Sequence, residues 1–170
     1  MTVNTVALER ITLRYDAAQD RIRVDGVSRD GEMRKFWLTR RLVGRLIAYF
    51  LQYEGVNKSL TVECREASPM GSARSTGPLQ SDAPVTSPDT SPSYLIGEMD
   101  ITQLADNIQM IFKSTDTAER LAFSLPCGSI EDWLTGVVNC YRTGEWGVSA
   151  LETQVNQTDT TQKAGPITLH

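Results

Sequence analysis

Apolar and polar residues alternate near the start of the chain. Ile11, Leu13 and Tyr15 are interleaved with Arg10, Thr12 and Arg14, the period-two pattern of a strand with one buried face. Asp16-Ala17-Ala18-Gln19-Asp20 reads as a turn, after which Ile22 and Val24 alternate with Arg21, Arg23 and Asp25. Ser28-Arg29-Asp30-Gly31 is a second turn, because Asp-Gly supplies the positive φ that tight hairpins need. A third strand, Met33 to Leu38, ends at Thr39, a candidate helix N-cap.

The period then changes. Leu42, Val43, Leu46, Ile47, Phe50 and Leu51 fall at helical spacing with Arg40, Arg41 and Arg45 on the other side, which predicts a helix from Arg40 to Glu54. Gly55 is its expected stop, and Leu60, Val62 and Cys64 form a candidate short strand that completes a first unit, 1–64. From 65 to 93 the chain is rich in Ser, Pro, Thr and Gly and almost free of large apolar residues. Such a stretch buries too little surface to offset its ordering entropy, so a disordered linker is expected.

A second unit, 94–147, repeats the order. Strands are predicted over Leu95 to Gln103, Asn107 to Lys113 and Glu119 to Leu125, with Ser114-Thr115-Asp116-Thr117 as a hairpin loop. Ser129, followed three residues later by Asp132, resembles a capping box. Ile130, Trp133, Leu134, Val137, Val138 and Tyr141 then share one face of a helix that runs to Arg142. Residues 148–170 read as a polar, disordered tail. The fold expected is α+β: two pseudo-repeated βββα units packed into one antiparallel-sheet and helix domain, since each alone makes a thin core.

Composition removes several classes of function. No apolar run approaches the roughly 20 residues that span a bilayer, and Met1 to Glu9 lacks the basic start and apolar core of a signal peptide. A cytoplasmic protein without a membrane partner is therefore expected. Three widely spaced cysteines, Cys64, Cys127 and Cys140, fit reduced thiols rather than a disulfide framework. The net charge of −4 conceals an asymmetry: residues 1–64 carry 11 Lys/Arg against 8 Asp/Glu, and residues 65–170 carry 6 against 13. A basic front and an acidic back can attract each other within or between molecules.

Chemistry is scarce. The single histidine is the last residue, His170, which leaves no Ser-His or Cys-His scheme and no histidine metal site. No glycine pattern cradles a phosphate. Neither a catalytic set, a metal site nor a cofactor is expected. Asp16, Asp20, Asp25, Asp30 and Glu32 cluster near two turns and provide the one carboxylate route to a hydrolase, although Asp belongs in turns for local reasons. Arg10, Arg14, Arg21 and Arg23 fall on one side of adjacent strands, and Arg40 and Arg41 continue the basic character, a candidate surface for nucleic acid or another anionic partner. Trp146 stands outside any periodic element and either closes the second unit or anchors a protein partner. Ser87-Pro88 and Ser91-Pro92 are candidate phosphorylation pairs.

The order of strands, an irregular middle, further strands and a closing helix is similar in outline to the small head domains of end-joining and centriole-cartwheel scaffold proteins. That likeness implies a protein–protein scaffold and transfers no site residue. The reading is a non-catalytic interaction or assembly module acting on a protein partner or on itself. The second reading is a nucleic-acid-binding accessory protein.

Overall fold

The computed structural model describes residues 4–52, 83–147 and 167–169. Its elements in chain order are β1 (Thr5–Asp16), β2 (Arg21–Ser28), β3 (Met33–Leu38) and α1 (Arg40–Leu51). They continue with β4 (Ser93–Gln103), β5 (Asn107–Ser114), β6 (Arg120–Pro126), a 3-10 turn at Cys127–Ser129, α2 (Ile130–Thr143) and β7 (Ile167–Leu169). The candidate strand at Leu60 to Cys64, Gly55 and His170 lie outside the described residues.

The sheet is not wholly antiparallel, as the strand order alone suggests. Within each unit neighbours run antiparallel, but β3 pairs with β4 in parallel and β6 pairs with β1 in parallel. These two joints close the first six strands into a barrel. Each joint covers four residue pairs, Lys35↔Ser93 to Leu38↔Ile96 and Thr5↔Arg120 to Leu8↔Phe123. A register shift follows each one, between Ile96 and Glu98 in β4 and between Leu8 and Arg10 in β1. Closure satisfies backbone groups that either unit alone would leave on an open edge.

Alternation decides what fills the barrel. Ile22, Val24, Phe36 and Leu38 from the first unit and Met99, Ile101, Ile108, Met110 and Phe112 from the second are all buried. They belong to one continuous apolar cluster. Phe36 and Phe112 meet across it with ring centroids 4.9 Å apart, so the halves share a core rather than keeping one each. Burying side chains of this size contributes about 1.5–3 kcal/mol apiece.

α1 ends at Leu51, capped at Gln52, rather than at the expected Glu54, and the helices differ from the sequence in two further ways. Thr39 caps α1 as expected, its Oγ1 accepting from the Leu42 amide at 3.3 Å. The buried face of α1 is wider than the apolar stripe, because Gly44 and Ala48 are also covered. Ser129, in contrast, makes no side-chain cap bond to α2. Its place as the last residue of the 3-10 turn gives it a φ of −106° and ψ of 2° rather than the extended backbone a cap requires. Phe50 of α1 meets Trp133 of α2 edge-on at 5.6 Å.

Two segments expected to be disordered are packed. Residues 83–92 form an irregular strap that leads into β4, with Val85 and Ser87 buried. Near the C-terminus, Ile167–Leu169 adds an antiparallel strand to β4 opposite Met99–Ile101. β4 is 11 residues long and outlasts its partner β3, which turns into α1 after Leu38, so β7 takes the edge that remains. Among the described residues no helix is long and apolar enough to cross a membrane.

Candidate functional site

Strand register fixes where the arginines point. Arg10 lies opposite Val27, Arg14 opposite Arg23 and Asp16 opposite Arg21, and residues opposite one another share a face of the sheet. The four arginines therefore do stand together on one face of β1 and β2. They are not equivalent there. The Asp25 carboxylate, fully buried, takes Arg14 at 2.6 Å and Arg23 at 3.0 Å. Arg23 also donates to the Ser87 carbonyl at 2.9 Å.

The strap explains that burial. It crosses β1, β2 and β3 in turn. The Val85 amide donates to Thr12 Oγ1 at 2.9 Å, Ser87 Oγ donates to the Arg34 carbonyl at 3.1 Å, and Lys35 Nζ reaches the Asp89 carbonyl at 3.3 Å. Two of the four arginines on this face, Arg14 and Arg23, are thus committed to internal pairing, and Ser87 of the strap is itself buried. Composition concealed the strap because Val85 is its one buried large apolar residue, and long Arg and Lys side chains from the strands do most of the holding.

Arg40 and Arg41 belong to a different place. Both are exposed in the first turn of α1, which carries no acidic residue. Arg40 acts on Asp20, whose carboxyl is held below the usual value of 3.8 chiefly by the hydrogen bond from Trp146, then by the one from Tyr15. Trp146 is 3% exposed. Its Nε1 donates to Asp20 Oδ1 at 2.6 Å, and its ring packs edge-on against Tyr15 and Tyr141. It is buried and packed between β1 and α2 rather than standing on the surface.

Arg41 lines an open groove of about 720 Å³ at the β3–β4 joint. The other walls are the β4 bulge around Gly97 and Glu98, the β5–β6 loop, and Lys113, Glu119 and Arg120. Gly97 is needed there: a Cβ would stand 2.6 Å from Thr115 Cγ2. That close approach lets the Thr115 amide donate to the Leu95 carbonyl at 2.9 Å and seat the loop on β4.

Charges within the groove are partly spent. Lys113 Nζ lies 2.9 Å from Asp100 and 3.5 Å from Glu98. Glu119 is engaged by Arg34, 3.3 Å distant, and accepts the Tyr94 hydroxyl. Burial, reinforced by that bond to Glu119, pushes the Tyr94 phenol up to about 12. Lys113, Glu119 and Arg120 were absent from the expected site. Nothing local in the sequence brings the first turn of α1 beside the start of β6.

The carboxylates that clustered in sequence are taken up by different partners. Asp25 serves Arg14 and Arg23, Asp20 serves Trp146 and Tyr15, Glu32 pairs with Arg34 at 2.8 Å, and Asp16 accepts the Gln19 amide at 3.0 Å. Cys127 and Cys140 are partly buried and not in a disulfide among the described residues; burial pushes the Cys140 thiol up, away from nucleophilic use. No family model, curated protein or solved structure matches the chain.

Proposed function

We propose that this protein is a non-catalytic interaction module that binds an anionic partner through its basic surface. One observation carries the reading: the charged groups divide into two sets with different environments. Asp25, Arg34 and Glu119 are enclosed and tie strands together, whereas Arg10, Arg40 and Arg41 stand on the surface. The only large apolar side chain exposed among the described residues is Leu104, at 48%, so recognition by charge fits this surface better than an apolar interface.

Barrel closure bears on how assembly proceeds. With the first six strands paired around a ring, self-association by open-edge addition is less suited than contact between oppositely charged surfaces. Light scattering across a range of protein and salt concentrations tests this. Association that weakens with salt supports the charged route, and salt-independent association removes it.

Nucleic acid is the second reading, favoured by the four arginines on one sheet face. The internal pairing of Arg14 and Arg23 reduces the cations that phosphates would meet. Fluorescence anisotropy with single- and double-stranded oligonucleotides at low salt decides between the two, since phosphate binding would fall steeply as salt rises.

The reading also treats the two βββα units as interchangeable modules, supported by the matched parallel joints and the register shift after each. A permuted chain that begins at residue 83 and joins the present C-terminus to Met1 should fold to the same barrel. Failure of that chain to fold would count against equivalence.

A further inference from the structure

We infer that the groove at the β3–β4 joint is a docking site for an acidic segment of a partner protein, with Arg41 and Arg120 as the anion-recognising groups. This inference rests on the binding reading above and assigns it one surface.

Charge accounting within the groove is the first argument. Five ionisable side chains line it: Arg41, Glu98, Lys113, Glu119 and Arg120. Glu119 is held by Arg34 and Tyr94, and Glu98 is held by Lys113, which also binds Asp100. Neither Arg41 nor Arg120 makes an ion pair among the described residues. The carboxylates are thus engaged and two guanidinium groups are left facing one concavity.

The position of Arg41 adds a second argument. A cation in the first turn of a helix opposes the partial positive charge of the free amides there, at a cost of a few tenths of a kcal/mol. Folding gains nothing from it, whereas a bound anion would relieve it. Guanidinium groups also match the planar oxygens of a carboxylate in a bidentate manner, which a lysine does not.

Size selects the occupant. A groove of about 720 Å³ is far larger than a single inorganic anion needs and lies within the range of sites that enclose larger ligands. The two cations that make no ion pair among the described residues come from separate elements, the start of α1 and the start of β6, and Arg120 acts on Asp100 only through its charge. Two acidic side chains of one extended segment can engage them together, and a single small anion cannot fill the remaining space.

The test is fluorescence anisotropy with a labelled peptide of alternating Glu and Ser, a control with Gln in place of Glu, and inorganic phosphate as competitor. The acidic peptide should bind, the Gln peptide should not, and phosphate at equal concentration should leave binding intact. Arg41→Gln and Arg120→Gln should each weaken binding about ten-fold, the loss expected of one charge-assisted hydrogen bond, with unchanged melting temperatures. Displacement by equimolar phosphate would mean a small-anion site and overturns the inference. Peptide binding that survives both substitutions and disappears in Arg10→Gln would also overturn it, while leaving the interaction-module reading in place. If the wild-type protein ignores the acidic peptide but self-associates in a salt-dependent way, the groove assignment fails alone.

Discussion

Trp146 Nε1 donates to Asp20 Oδ1 at 2.6 Å, joining the segment after α2 to the β1–β2 turn. Tyr15 shares the same acceptor oxygen at 2.8 Å, so one carboxylate ties the segment after α2 to the end of β1. Trp146→Ala removes a buried aromatic and should cost about 3–5 kcal/mol in denaturant unfolding. Asp20 sits at φ 48°, where Asn is tolerated far better than Ala. Asp20→Asn should therefore keep a higher melting temperature than Asp20→Ala; the reverse order would show that backbone conformation there is unimportant.

Acid pH provides a separate check on that bond. The Asp20 carboxyl is held below 3.8 in the folded protein, first by Trp146 and then by Tyr15. A depressed folded value gives stability that is present above 3.8 and is lost as pH falls through the folded value. Trp146→Phe keeps an aromatic ring but removes the donor. NMR titration should then show the Asp20 carboxyl moving back up toward its ordinary value, with a shallower acid-side loss of stability.

Alkaline pH tests the opposite sign at Tyr94. Its phenol is raised from 10.0 to about 12 by burial and by the bond to Glu119. A raised folded value gives stability that is complete below pH 10 and disappears as pH rises toward 12. Tyr94→Phe should abolish this alkaline dependence in a pH series of melting temperatures. An unchanged alkaline limb would place the dependence elsewhere.

Asp25 is the load on which the strap rests. Asp25 is buried but Arg14 is 45% and Arg23 15% exposed, so its removal leaves partly solvated cations and costs less than the roughly 3–5 kcal/mol lost when a fully buried pair is broken. Asp25→Ala should show that smaller loss, and the Val85 amide, bonded to Thr12, should exchange faster with solvent. Native exchange at Val85 in a destabilised variant would mean the strap is held independently of Arg23.

Gly97 and Thr115 form a pair that can be tested by rescue. Gly97→Ala places a methyl group 2.6 Å from Thr115 Cγ2, and overpacking of this kind costs about 1–3 kcal/mol. Thr115→Ser deletes that Cγ2 and should restore most of the loss in the double variant. Additive effects of the two substitutions would show that the contact is not the cause.

Elements governed by local pattern were legible in the sequence. The strand over Met33–Leu38 and the helix starts at Arg40 and Ile130 follow directly from alternation, period and the Thr39 cap. Closure was not, because Lys35 pairs with Ser93 and Arg120 with Thr5, and parallel pairing between distant segments leaves no periodic trace at either end. The strap shows the other limit. Its own residues are those of a linker, and what packs it are Arg23, Lys35 and Thr12 reaching from strands far away in sequence. For the same reason the sequence supplied Arg41 but not Arg120.

The parallel joint between β6 and β1 also governs how the protein is made. Thr5–Leu8 are synthesised about 115 residues before their partners Arg120–Phe123. At about 5–20 residues per second, the first strand waits for several seconds with one edge unpaired. Pairings so distant in sequence also slow folding in general. Glu9, Arg10 and Arg14, exposed along that strand, place charge where the nascent edge would otherwise recruit another chain.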